Sequence, residues 1–502
     1  MTEAARTPSV ARAVKWSAIT TVARFALQLG AQVALARMLG PGNFGVYGIG
    51  IAVLTFAAFL SGSTFTWSLM LLPQVSRDDI RFSVTWQLIA GLLTAVAIYL
   101  LAPFTAGFFH EPRLQRVVEW IALASLLTAA AAPASTLLQR ELRFKALGFI
   151  HLVSYAAGYI GFGIPMALQG YGAESLAVAC VVQAAVGLAG VYAARPHALA
   201  PLFFYPGARA TLVTGRAVFF TNVVNWLLNN LDRVIMGRVL NATAVGLYTV
   251  AYNLASIPST LLVSILQPTL LAVGSNLQND RQRLGRGWKQ AIAILLVLVV
   301  PAAVVAALLS ADLVELLYGA EWTETAWILA LLFLCLPAWA CWGLSTPVLW
   351  STGRQHQEFL LQLPLLLAAA AAWFAFAGEG VRALALVSAG VMVARALVIV
   401  AAALRALELG WRAVLPHALR GLALAGVCGA SVLAGQQMVD RLGLPFVSLL
   451  AGGGLAAASL LLLVVLRPQW LGEEAQSALS NLFPRLRLRW AAPLPAVPES
   501  AR

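Results

Sequence analysis

The sequence predicts an all-α polytopic membrane protein of about fourteen transmembrane helices, arranged as two parallel six-helix lobes around a central cavity plus a C-terminal helix pair. Three observations carry that prediction. Hydrophobic residues make up 61% of the 502 and charged residues only 11%, with a mean hydropathy of +0.84, whereas a soluble domain is about a quarter charged. Apolar windows long enough to cross a hydrocarbon layer of roughly 30 Å recur along the chain, divided by short polar or Gly/Pro turns. A residue pattern near the N-terminus also returns 201 positions later.

The first six spans begin near Val14, Phe44, Phe82, Leu114, Ala146 and Glu174. The first is too polar for a cleaved signal peptide and is expected to stay in the mature chain. A loop with Pro196, Pro201 and Pro206 then separates the halves. Further spans begin near Val213, Ala244, Ala291, Thr325, Phe359 and Val381, and Gly- and Ala-rich spans from His417 and Pro445 read as an appended hairpin suited to close helix packing. The expected domains are an N-lobe over 1–195, a cytoplasmic loop over 196–212, a C-lobe over 213–410, the hairpin over 411–467 and a basic tail over 468–502. Six spans per copy return the chain to its starting side, so the two halves should be parallel repeats.

A net charge of +13 raises nucleic acid as a partner, and its distribution argues against it. Most Lys and Arg fall in every second loop, in clusters such as Arg140/Arg143/Lys145 and Arg281/Arg283/Arg286/Lys289, while intervening loops carry acids such as Asp312 and Glu321. This is the positive-inside pattern, and it places both termini in the cytoplasm. Cys180, Cys335, Cys341 and Cys428 lie inside apolar spans without metal-ligand spacing and read as small core hydrophobes. No cofactor motif, metal cluster or nucleophile triad is evident.

The repeat matches Arg37, Leu39, Gly45 and Tyr47 with Arg238, Leu240, Gly246 and Tyr248. At the same offset Arg24 pairs with Asn225, Gln28 with Asn229 and Gln32 with Arg233. On a helix, Ser17, Thr21, Arg24, Gln28 and Gln32 share one face, as do Asn222, Asn225, Asn229 and Arg233 in the seventh span. Arg24 sits roughly 15 Å deep at about 1.5 Å per residue, where an Arg costs about 2.5–3.5 kcal/mol unless it meets water or an anion. The candidate substrate-binding residues are therefore Arg24, Gln28, Gln32, Asn222, Asn225, Asn229, Arg233 and Tyr252; the competing reading is that these groups only hydrogen-bond helix to helix. Asp232 is read as the one carboxylate deep in a span. Arg395 in the twelfth span is expected to snorkel to the cytoplasmic face, and Trp339, Trp342 and Trp350 to serve packing.

Four motifs resemble bacterial polysaccharide flippases of the Wzx type. Arg37-x-Leu39-Gly-Pro-x-Asn43-Phe44-Gly45-x-Tyr47 looks like the end of their first helix. Leu138-Gln139-Arg140-x-Leu142-x-Phe144-Lys145 is similar to a loop of the colanic-acid and teichuronic-acid branch, as are Asn230-x-Asp232-Arg233-x-x-x-Gly237-Arg238 and Leu317-Tyr318-Gly319-x-x-Trp322. The resemblance covers about residues 10 to 470. It implies the multidrug/oligosaccharidyl-lipid/polysaccharide exporter superfamily and passage of undecaprenyl-diphosphate-linked oligosaccharide to the outer leaflet by alternating access. Implied partners are that lipid-linked oligosaccharide, membrane lipids, and a polymerase with chain-length and export proteins. The chain departs from the pattern in having no clear acidic coupling-ion site in its first half.

Three alternatives differ in chemistry. A drug/cation antiporter of the same superfamily would line its cavity with carboxylates, and here the stripe is cationic. A major-facilitator carrier would show a basic second-to-third loop, absent from Pro73–Arg81. A membrane polysaccharide polymerase would need a long outer loop bearing catalytic groups, and none is expected; the chain is read as a transporter and not an enzyme.

Overall fold

The computed structural model describes residues 10–71, 75–198, 200–205, 208–258, 281–439 and 443–476, and every regular element among them is helical. Ten of these helices are long and apolar enough to cross a bilayer, or eleven if one bent pair counts as a single span. The eighth span is described only to residue 258.

Helix α1, Val10–Leu71, is 62 residues long, hence about 90 Å at 1.5 Å per residue, twice the thickness of a whole bilayer. It is two spans. Gly40 adopts φ 69° and ψ 171°, a left-handed conformation that glycine enters without steric cost, and Pro41 restarts the helix where its missing N–H costs nothing. The first two expected spans therefore meet at a kink rather than a loop.

Contacts divide the chain into two compact units, Met1–Val250 with Leu366–Leu384, and Ala251–Leu365 with Ala385–Arg502. In the first unit α1 packs with α2 (Arg77–Phe109), α3 (Arg113–Arg140), α4 (Phe144–Leu168), α5 (Ala173–Ala194), α6 (Ala208–Val239) and the start of α7 (242–258). Helix α4 contains a π-helical stretch, Ala156–Gly163. There Tyr159 stacks on Tyr155 with centroids 4.4 Å apart, and its hydroxyl pairs with that of Tyr47.

The sequence repeat has a physical counterpart where α1 crosses α7. A Cβ added to Gly45 would fall 1.7 Å from the Ala242 carbonyl oxygen, and one added to Gly246 would fall 2.1 Å from that of Pro41. The two clashes are reciprocal, since each glycine approaches the residue that is the repeat partner of the other's neighbour. Gly48 likewise meets Thr249, and Gly42 meets Thr243, at 3.2 and 3.5 Å from an added Cβ. Reciprocal contacts of this kind mark a local two-fold relation. The other motif residues serve the same joint. Asn43 bonds the Leu39 carbonyl at 2.9 Å and accepts from Arg113 at 3.1 Å, and Asn241 caps the start of α7 by accepting from the Ala244 N–H at 2.9 Å.

The second unit contains α8 (Arg281–Leu308), α9 (Ser310–Tyr318), α10 (Thr323–Leu334), α11 (Leu336–Ser351), most of α13 (Val381–Ala406), α14 (Leu415–Val439) and α15 (Pro445–Leu466); α12, Gln355–Phe376, runs from this unit into the first. The single tenth span expected from Thr325 is in fact α10 and α11 bent by 43° at Cys335, because Pro337 opens the second helix and supplies no N–H to continue the first. The small residues of α14 do permit close packing: an added Cβ at Gly421 would reach 2.5 Å from the Leu296 carbonyl of α8. Asp312 joins the hairpin by accepting from Gln436 at 3.0 Å and Ser448 at 2.6 Å. All four cysteines are free.

Candidate functional site

On α1, Thr21, Arg24, Gln28 and Gln32 are half-buried along one face, and the side chain of Ser17 lies outside the described residues. Helix α4 approaches that face closely because Gly148 has no Cβ; one there would lie 2.4 Å from the Thr20 hydroxyl. One turn further on, His151 comes within the field of Arg24, which sequence reasoning missed since the two are far apart in the chain. The Arg24 Nε and Gln32 Nε2 are buried with no hydrogen-bond partner among the described residues. A buried N–H left unpaired costs about 1–3 kcal/mol, which a hydrogen-bond acceptor would recover.

On α6, Asn225, Asn229 and Arg233 are half-buried, while the side chain of Asn222 lies outside the described residues. Asp232, 5% exposed, accepts from the Tyr248 hydroxyl at 2.7 Å and from the Arg233 backbone N–H at 2.8 Å. It is engaged within the helix pair. The Arg233 guanidinium lies 5.9 Å from the Tyr248 ring centre, and Arg233 is among the residues lining a cavity of about 500 Å³. That cavity is walled by α1, α2, α3 and α6, and Trp226 closes one side with its ring centre 4.7 Å from that of Phe56, the planes tilted by 48°, while donating to Thr55 at 3.1 Å. In the turn before α3, the hydrogen bond from Arg113 (2.8 Å) holds the Glu111 carboxyl below the usual carboxylate range.

Tyr252 belongs to the second unit, where its ring lies 5.4 Å from that of Trp339. The same unit overturns the expectation for Arg395. Instead of snorkelling, Arg395 is 5% exposed. Its Nε donates to Gln362 Oε1 at 2.9 Å, Gln362 Nε2 donates to Glu358 Oε1 at 2.9 Å, and Trp350 Nε1 donates to Glu358 Oε2 at 2.6 Å. The guanidinium also sits 4.0 Å from the Trp342 ring centre. Asp232 is therefore not the sole buried carboxylate, for Glu358 is 1% exposed. Trp342 and Trp350 are polar partners as much as packing. The physical reason is that Arg395 has a counter-charge relayed through one amide, and a paired charge has no need to reach water. Glu358 and Gln362 at i and i+4 on one helix were the available signal.

A sequence profile described as polysaccharide biosynthesis protein matches residues 34–327. The chain is 25% identical to the succinoglycan biosynthesis transport protein ExoT of Rhizobium meliloti, over 66% of this chain and 67% of that protein. It is 24% identical to the lipopolysaccharide biosynthesis protein WzxC of Escherichia coli, over 63% and 65%. The matches thus span about two thirds of each relative's length. Among solved structures, the lipid II flippase MurJ in an inward closed conformation aligns with a TM-score of 0.72 at 16% identity, covering 89% of this chain and 97% of that one. An inward-facing multidrug resistance MATE transporter of the MOP superfamily aligns at 0.59 and 15%, covering 78% and 98%. At such identities these two show a shared fold.

Proposed function

Because the chain belongs to the polysaccharide biosynthesis protein family, we propose that it moves polyprenyl-diphosphate-linked oligosaccharide from the cytoplasmic to the outer leaflet of the bacterial inner membrane, as a flippase and not an enzyme. The observation that carries the reading is Arg24, half-buried in an apolar helix with its Nε unpaired and amides at one- and two-turn spacing on its face. A guanidinium presents a rigid fork of N–H donors that matches two oxygens of a diphosphate and replaces the water lost on entry. Gln28, Gln32, Asn225 and Asn229 suit sugar hydroxyls, which need paired donors and acceptors. Alternating access of two lobes then moves the head group while the chain stays in lipid. Relatives named for polysaccharide and lipopolysaccharide biosynthesis support this reading over a drug/cation antiporter, as does the cationic stripe. Both termini are assigned to the cytoplasm from the loop charges.

The test is transbilayer movement of a fluorescent lipid-linked oligosaccharide in vesicles holding the purified protein. Wild type should move it, Arg24→Lys should do so partially because it keeps the charge and loses the fork, and Arg24→Ala should do so little or not at all at equal protein content. Normal movement by Arg24→Ala would refute the assignment. For orientation, a single cysteine at Arg283 should be shielded from an impermeant thiol reagent in intact cells, and one at Glu321 should label.

A further inference from the structure

The 500 Å³ cavity of the first unit has a composition that the head-group site does not explain. Its walls are aliphatic and aromatic side chains of α1, α2 and α6, among them Ile49, Phe56, Ala97, Leu101 and Phe108, and Arg233 brings the charge. Among its other polar groups, Trp226 donates to Thr55 and the Thr105 hydroxyl donates to the Ala102 carbonyl at 2.7 Å. Leu93, Leu101 and Phe108 are 66%, 53% and 40% exposed, so the cavity opens sideways along α2 as a trough. At the Phe108 end a second, polar pocket of about 560 Å³ adjoins it, with Phe109 in both linings and His110, Glu111, Arg238 and Asn241 around it. There Arg238 donates to His110 Nδ1 at 2.8 Å and lies 5.3 Å from the Phe108 ring centre.

An apolar trough that ends in one guanidinium and continues into a polar mouth is complementary to a long hydrocarbon chain joined to phosphate and then sugar. A soluble anion would leave the walls unfilled, and a bilayer phospholipid, which also joins chains to a phosphate, carries no oligosaccharide to fill the polar mouth. We propose that this trough, between α2 and α6 beside Arg233, is a second station of the transported lipid, occupied after its diphosphate has left Arg24: it holds part of the isoprenoid chain, with the phosphate against Arg233 and the first sugars in the Arg238 mouth. The assignment rests on the transport reading above.

Vesicles containing the full chain are irradiated with a polyprenyl diphosphate that carries a diazirine on its chain, and labelled peptides are mapped. Labels should fall on 97–108 and 226–234 and be displaced by untagged polyprenyl diphosphate, not by phosphatidylglycerol. Ala97→Trp fills the trough from an exposed position and should cut labelling about tenfold, as should Arg233→Gln. Leu100→Trp, on the same helix at 70% exposure and outside the lining, should leave it unchanged. Labelling spread evenly over the exposed face of α2, or displaced equally by phosphatidylglycerol, would mark ordinary surrounding lipid and overturn the proposal. Transbilayer movement by wild type without label in the trough would overturn the trough and leave transport standing. A specifically labelled trough with no transbilayer movement would sustain the lipid site while the transport reading fell.

Discussion

Replacing Arg395 with glutamine removes the cation from a buried chain of four side chains. Glu358, 1% exposed, then keeps its hydrogen bonds from Trp350 and Gln362 but loses the charge that Gln362 relays to it, and Gln362 Oε1 loses its donor. Breaking a buried charge pair by deleting one partner costs about 3–5 kcal/mol, because the remaining charge is uncompensated. Deleting the carboxylate alone, in Glu358→Gln, removes the counter-charge relayed to the guanidinium and should cost a similar amount, reduced somewhat by the face of Trp342 at 4.0 Å. The double variant Glu358→Gln/Arg395→Gln carries neither charge. Its loss should fall well below the sum of the single losses, giving a coupling energy of about 2 kcal/mol or more, within the range seen for contacting residues. The assay is thermal unfolding in detergent at matched protein concentration, read from tryptophan fluorescence and checked by size-exclusion profile. Additive losses, or an Arg395→Gln variant as stable as wild type, would refute the reasoning and restore Arg395 to the aqueous interface.

Gly45→Ala and Gly246→Ala each drive a methyl group into backbone at 1.7 and 2.1 Å, and should destabilise by about 1–3 kcal/mol or more, whereas Gly30→Ala, with nothing within 4 Å, should melt like wild type. Tyr248→Phe removes the donor at 2.7 Å from Asp232 and should lower stability by about 1.5–3 kcal/mol through loss of one hydrogen bond to a charged group, measured in the same melts. The hydrogen bond from Lys289 at 2.6 Å holds Glu474 below the usual carboxylate range. A depressed carboxyl stabilises above its unfolded value of about 4.3 and loses that contribution as pH falls through the folded value. The segment around Leu471–Glu474 should therefore be protected from amide hydrogen exchange near neutral pH and lose that protection, after correction for the intrinsic exchange rate, as pH falls through the folded value, while Glu474→Gln should show no such step.

Much of the fold could be read from the sequence, because lipid forces each crossing segment to satisfy its own backbone and so to declare itself as an apolar helix. Starts expected at Leu114, Glu174, Val381 and Pro445 lie within a residue of the helices that form. Helix α8, which carries the ninth expected span, is described from Arg281, ten residues before Ala291, since hydropathy marks where the membrane begins and not where the helix does. Of the site, the polar stripe of α1 was legible from spacing alone, and so was the repeat, whose glycines prove to be the points where α1 and α7 touch. What spacing could not supply was the partner each polar group would choose. Arg395 found Gln362 and Glu358, Asp232 found Tyr248, and Arg233 came to line an apolar trough, because those outcomes depend on which helices pack together, often from segments far apart in the chain. The sequence by itself determined that these groups lie within the membrane at a cost; only the tertiary structure decided which of them offset that cost internally and which, as at Arg24 Nε and Gln32 Nε2, stay buried without a hydrogen-bond partner among the described residues.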